Sequence, residues 1–512
     1  DECGDVLIRD GKIVWLGAGE PPLPRTGYDV LYATGMVVCP GFIDVHSHTD
    51  VHLLVNPKAE SKIRQGVTTE ISGNCGYSPF PIGGLTEQEQ LKVIKKDFEI
   101  QADWRDLDGF FEKLEHSGMA LNYATLVGHS TIRGLVLGLE NKPATSDDMK
   151  RMKWELEKAL EQGALGLSTG LEYTPGCFAT TEEIIELCKL LPRYQGIYAS
   201  HIRNEDVQVI EAVEEALNIG RAAEVEVQIS HLKACQKRNW LKVDQFLNLI
   251  DKARQEGVRV HCDCYPYIAY STTMKLLFPQ WSREGDDQKF VERLQDKQLL
   301  PRMRQFVEDK ITNLGSWDAV MITRVLSEER RHYQGQTVAQ IATTEGTEPF
   351  EFVRQLLIQE KGDVSMCGFA MSEENTAKVL AFPLTMVGSD GMALAPYGIL
   401  SRENPHPRSY GSFPRVLGYY VREKKIMSLA EAIRKMTSLP AEKFGLTGRG
   451  KLAVGNFADV VIFDTEKVMD KATFVQPHQY PEGIQYVVVN GNVVIDRGEH
   501  TGALPGRILR RG

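Results

Sequence analysis

Pro40-Gly41-Phe42-Ile43-Asp44-Val45-His46-Ser47-His48 runs from an apolar stretch straight into two histidines one residue apart. Alternate residues of an extended strand share a face, so a strand here delivers both imidazoles to the same side. Imidazole nitrogens bind zinc at about 2.0–2.1 Å, and this spacing lets one ion take both. A His-x-His alone is as easily packing; the apolar strand in front of it favours the metal reading. Outward from that strand, apolar extended runs recur at 41–46, 67–72, 123–128, 164–168, 196–200, 225–230, 258–264 and 385–389. Helical spacing of apolar residues fills gaps between them, as at 149–162 and 182–191. Strands alternating with helices predict βαβ units in a parallel sheet. Eight of them close an α/β fold, the (β/α)₈ TIM-like barrel. The connection after Thr272 is too long for one barrel helix and predicts an inserted subdomain or lid at 273–384, before the last barrel strand.

Barrel enzymes place their sites at the C-terminal ends of the strands. Of twelve histidines, His46 and His48 end the first strand, His129 follows the third, His201 the fifth and His231 the sixth; Asp390 ends the eighth. At the chain ends, Asp10-Gly11 and Asn490-Gly491 each separate two apolar runs, the signature of a tight β-hairpin. Isolated hairpins are marginal, so residues 1–38 and 445–512 are expected to join in one small β-sandwich domain beside a barrel at 39–444.

A net charge of −10 argues against a nucleic-acid binder. No apolar run reaches the length of a membrane span, and no signal peptide is visible, although the sequence starts at Asp1 without methionine. Nine scattered cysteines cannot all pair internally and do not resemble a secreted disulfide framework, which points to the cytoplasm. The expected partner is a small molecule; oligomeric state is not encoded.

The opening motif resembles the metal motif of the amidohydrolase superfamily. Ser72-Gly73-Asn74-Cys75-Gly76, the segment from Gly166 through Glu172-Tyr173-Thr174-Pro175 to Gly176, Val387-Gly388-Ser389-Asp390-Gly391 and His406-Pro407-Arg408-Ser409-Tyr410-Gly411 resemble the N-acyl-D-amino-acid deacylase (D-aminoacylase) family. The resemblance spans nearly the whole chain. It implies one tightly bound Zn²⁺ on Cys75, His201 and His231, and a weaker neighbouring site on His46, His48 and Asp390 that Cys75 can bridge. The fourth strand, ending Leu167-Ser168-Thr169, lacks the bridging lysine of many superfamily members, and a thiolate at Cys75 substitutes for it. The implied reaction is hydrolysis of the amide of an N-acyl-D-amino acid, with Asp390 as general base and then acid. Rival readings are a hydantoinase- or dihydroorotase-like cyclic amidase, a dipeptidase, or a scaffold with the same fold.

Arg203 and Lys233 stand two residues beyond His201 and His231. Continued extended backbone would aim both at the metal and at a substrate carboxylate; the alternative is pairing with Glu205 or Glu172. Tyr173, Tyr265, Tyr267 and Ser271 are candidate pocket walls, with packing as the competing role. Family members place a carboxylate-binding arginine after the seventh strand, but Leu276–Trp281 offers none and the nearest is Arg283. Arg408 and His406 are expected on a loop over the mouth, and His129 to be satisfied structurally.

Overall fold

The computed structural model describes residues 3–19, 27 and 29–511. Three parallel strands, Phe42–Asp44, Val67–Ser72 and Asn122–Thr125, form one sheet. Six more, Val127–Gly128, Gly166–Gly170, Ile197–His201, Glu226–Ile229, Val260–Cys264 and Thr385–Val387, pair in parallel in that order. Only Leu126 separates the two sheets on one side, and its N–H donates to Ser72 O at 2.9 Å. On the other side Asp390 N donates to His46 O at 2.7 Å and His48 N to Gly391 O at 2.9 Å. The ring is closed. It is the eight-stranded barrel expected from the sequence, with the third strand read as 123–128 divided at Leu126. All residues of these strands except Glu226 are buried, which is why they read as apolar runs without alternation.

Local signals set the helix ends. Ser146–Glu161 starts three residues before the apolar pattern does, because Thr145 and Asp148 form a reciprocal capping box; Met152, Leu156 and Leu160 face the core. The next predicted helix stops at Cys188, and the chain continues as a 3₁₀ turn through Pro192.

The long connection before the eighth strand folds around its own core. Its antiparallel strands Tyr270–Thr273, Ser365–Gly368 and Val320–Arg324 carry four helices, among them Leu300–Leu314. Met274, Phe278, Phe290 and Phe350 pack there, separate from the barrel. The two chain ends meet as well. Val37–Pro40 pairs with Val460–Phe463 in a five-stranded sheet, and the hairpin Asp5–Arg9/Lys12–Gly17 docks on it through Ala458 N to Gly11 O at 2.9 Å. Asp10-Gly11 and Asn490-Gly491 all have positive φ, the conformation a type I′ hairpin turn requires.

The seam between first and last barrel strands holds a wholly buried lysine. Lys62 Nζ donates to Asp44 Oδ2 and to Ser389 Oγ, each at 2.6 Å, and lies 2.9 Å from Glu70 Oε1. Asp44 in turn accepts from Ser389 N at 2.8 Å and His46 N at 3.2 Å. Burial alone would lower the Lys62 pKa, but the two carboxylates raise it, so the ammonium stays charged. Lys62→Met would strand two buried carboxylates, and we expect it to cost roughly 3–5 kcal/mol of stability. Urea unfolding of both proteins checks this, and a loss below about 1 kcal/mol would show that the seam does not depend on the pair.

Candidate metal centre

Five of the eight strands bring six side chains to one mouth. Cys75 Sγ lies 3.3 Å from His46 Nε2 and 3.4 Å from His231 Nε2, and His201 Nδ1 lies 2.9 Å from His231 Nε2. His48 Nε2 is 3.0 Å, and His46 Nε2 3.4 Å, from Asp390 Oδ1. Two donor sets result, Cys75/His201/His231 and His46/His48/Cys75/Asp390, with Cys75 common to both. Tetrahedral zinc with bonds of about 2.0–2.3 Å holds its ligand atoms about 3.3–3.6 Å apart. The two Cys75 spacings match that, and the histidine pair needs to open by only tenths of an ångström. Thiolate with imidazole is the donor chemistry zinc prefers.

The backbone is bent to aim these groups. Cys75, His231 and Asp390 have φ of 52°, 34° and 52°, a region non-glycine residues occupy at a cost of about 1–3 kcal/mol each. Cys75 stands in Gly73-Asn74-Cys75-Gly76, where a Cβ on Gly73 would lie 2.0 Å from Leu126 O and one on Gly76 2.7 Å from Gly170 N. The turn that presents the thiol therefore requires both glycines.

Electrostatics favour a cation here. Burial alone would raise the Cys75 pKa, but His46, His231 and His201 hold it well below the usual thiol range. Burial would lower the histidines, yet the surrounding anions push His48 up to about 9 and His201 up to about 10. A divalent cation and these protons compete for the same nitrogens. Asp390 would also be raised by burial; Arg408, His231 and His46 keep its carboxyl well below the ordinary value.

Outer partners fix the rings. Asp263 Oδ1 lies 3.2 Å from His46 Nδ1 and accepts from His231 N at 2.8 Å, tying the first and sixth strands together. Glu205 Oε1 lies 2.9 Å from His231 Nδ1 and accepts from Lys233 Nζ at 2.6 Å. Such carboxylates orient ligand imidazoles. Sequence reasoning passed over Asp263, which reads as one more residue of a buried strand.

Beside the donors lies a small chamber of about 40 Å³, lined among others by Tyr173, Lys233, Tyr265, Ser271 and Asp390. Lys233 meets both of its expected descriptions, paired with Glu205 and facing the chamber. Two other expectations are corrected. Arg203 turns away because the fifth strand ends at His201, and Glu215 on helix Val209–Ala223 holds its guanidinium through Nε at 2.9 Å and Nη2 at 2.8 Å. Tyr267 faces a separate cavity behind Lys233, and its hydroxyl donates to Asp470 Oδ2 at 3.2 Å. Arg283 donates to Glu172 O at 2.8 Å. His129 is buried against Glu183 at 2.9 Å, the structural role expected for it.

An arginine close to the donors does come from the segment after the eighth strand. Arg408, first residue of helix Arg408–Arg415, is buried, with Nη1 2.6 Å from Asp390 Oδ2. Its guanidinium lies 5.0 Å from the centre of the Tyr265 ring, and the Tyr265 hydroxyl is buried with no hydrogen-bond partner among the described residues. Its only sequence signal was the His406-Pro407-Arg408 motif.

A profile of the amidohydrolase family matches residues 336–495. The chain is 36% identical to a D-aminoacylase of Alcaligenes xylosoxydans xylosoxydans, over 99% of this chain and 93% of that protein. The solved N-acyl-D-glutamate deacylase of Bordetella bronchiseptica, in complex with zinc and a phosphonate mimic of the tetrahedral intermediate, superposes with a TM-score of 0.80. It shares 32% identity and covers 99% of this chain and 95% of its own. A D-aminoacylase studied for its binuclear metal centre superposes equally well, with a TM-score of 0.80 at 33% identity, covering 99% of this chain and 96% of its own.

Proposed function

We infer, for a chain that belongs to the amidohydrolase family and within it to the N-acyl-D-amino-acid deacylases, zinc-dependent hydrolysis of N-acyl-D-amino acids to a carboxylate and a D-amino acid. The observation that carries the reading is the meeting of Cys75, His201 and His231 beside Asp390 and Arg408 at one buried mouth. Cys75, His201 and His231 are the residues to hold the tight zinc; His46, His48 and Asp390, with Cys75 shared, are those for a weaker one. Bound there, zinc polarises a carbonyl and lowers the pKa of water to about 7.

The chain's own groups do the rest. Asp390 takes the proton from the attacking water and returns it to the departing amine nitrogen. Arg408 is positioned to bind the substrate's α-carboxylate with two parallel hydrogen bonds, helped by the free Tyr265 hydroxyl and by Lys233. Burial excludes bulk water and strengthens each of these contacts. Tyr173 and Ser271 shape the wall.

We also assign residues 1–38 with 445–512 to the β-sandwich and 39–444 to the barrel, with 273–384 holding its inserted subdomain. The nine free thiols and the net charge of −10 support a cytoplasmic enzyme acting on small molecules rather than on nucleic acid. No helix among the described residues is long and apolar enough to cross a membrane. A panel of N-acetyl-D- and N-acetyl-L-amino acids, hydantoins and dipeptides, with zinc measured on the same sample, tests the reading. Turnover of the D-acyl compounds is expected to exceed every other class by at least about tenfold, a barrier difference of about 1.4 kcal/mol. Preferential ring opening of hydantoins would replace it with a cyclic amidase.

A further inference from the structure

The inner chamber measures about 40 Å³, and a second cleft of about 780 Å³ takes part of its lining from the same stretches of chain. Small-molecule sites measure about 300–1,000 Å³, so the cleft is large enough to be one. Three separate elements contribute lining residues to both chamber and cleft. On helix Leu300–Leu314, Lys310 and Leu314 face the chamber, and Phe306, one turn earlier, faces the cleft with Arg302. Four residues of helix rise only about 6 Å. In the second element Leu276 lines the chamber, and Pro279 and Trp281 line the cleft; in the third the pair is Tyr173 and Phe178. Lys310 Nζ donates to Leu276 O at 3.0 Å, which ties two of these three elements together.

The cleft lining mixes the apolar Phe178, Pro279, Trp281 and Phe306 with polar residues. Phe306 is 42% exposed, and Trp281 is half-buried with the Arg302 guanidinium 4.6 Å from its ring centre. Asn141, Gln305 and Asp309 stand around them. Nothing in the proposed chemistry uses these residues. An exposed aromatic surface with a charged border is a recognised mark of a ligand groove. If the carboxylate half of the substrate is anchored at Arg408, the acyl half leaves the scissile carbonyl in another direction, and the walls of Tyr173, Leu276 and Lys310 lead it outward.

The geometry points to the outer cleft as a binding site for a long apolar acyl chain, so that the substrates of this enzyme are N-acyl-D-amino acids with medium or long acyl groups rather than acetyl derivatives. This rests on the deacylase reading above and narrows it.

The test holds one D-amino acid constant and carries it as the acetyl, butyryl and octanoyl derivative. Each methylene buried in such a cleft favours binding about fourfold, so kcat/KM should rise at least about tenfold from acetyl to octanoyl with two methylenes buried. Phe306→Asp and Trp281→Ala should abolish that gain and leave the acetyl derivative within about twofold of the parent protein. Phe306 is exposed, so its replacement keeps the test valid if the tryptophan variant fails to fold. Octanoyl turnover no better than acetyl, or a gain that survives Phe306→Asp, overturns the assignment while the deacylase reading stands. So does a gain that follows a lengthened amino-acid side chain with acetyl held fixed. Failure to hydrolyse any of the three with zinc bound removes the deacylase reading and this one with it.

Discussion

Asp390→Asn is expected to lower kcat by at least about 100-fold, the low end of what a positioned general base contributes, while zinc content stays at the parent level. The amide keeps the shape of the carboxylate but cannot accept a proton. Asp390 Oδ1 lies 3.0 Å from His48 Nε2 and Oδ2 2.6 Å from Arg408 Nη1, so the residue stands between the donor cluster and the Arg408 guanidinium. The donor set Cys75, His201 and His231, proposed to hold the tight zinc, does not include it. Steady-state kinetics with metal analysis on the same preparation decides the matter. Turnover close to the parent value would take Asp390 out of proton transfer, and lost zinc would make it chiefly a ligand.

Cys75→Ala is expected to have the larger effect on metal. Removing an outer partner of a ligand costs about 10–100-fold in affinity, so removal of the shared thiolate should cost at least about 100-fold. The same change appears in stability, because an ion that binds only the folded chain stabilises it in proportion to the logarithm of its affinity. A hundredfold loss corresponds to about 2.7 kcal/mol at a fixed free zinc concentration well above both dissociation constants. Competition against a chromophoric chelator and thermal unfolding with and without zinc measure the two quantities. Cys75→Ser serves as the conservative control, keeping the size and a weak oxygen donor. Unchanged zinc retention in both variants would contradict the assignment of Cys75 as the common ligand.

The barrel was legible because each of its strands is buried on both faces, so hydrophobicity marks them without a periodic signal. His46 and His48 announced themselves by alternation on a strand, and Cys75 by the resemblance of Ser72-Gly73-Asn74-Cys75-Gly76 to a family motif, whose glycines its bent backbone needs. What failed was extrapolation past a strand end. Arg203 was expected beside the metal on the assumption that the chain stays extended, but the strand stops at His201 and an acid from the following helix takes the guanidinium. Lys233, at the same offset from its histidine, does face the chamber. Sequence offset alone does not distinguish the two. Asp263 escaped for the opposite reason: it acts on His46, far away in sequence, and nothing local marks such a contact. Arg408 was expected only on a loop over the mouth, whereas it opens a buried helix and pairs with Asp390.

The meeting of the first and last barrel strands also dictates a calendar. His48 and Asp390 are 342 residues apart, and a ribosome adding about 5–20 residues per second needs roughly 20–70 s to travel between them. Through that interval the first strand waits without its last neighbour, and Cys75, His201 and His231 emerge within it. The Cys75, His201 and His231 donor set is therefore complete before Asp390 arrives to complete the other.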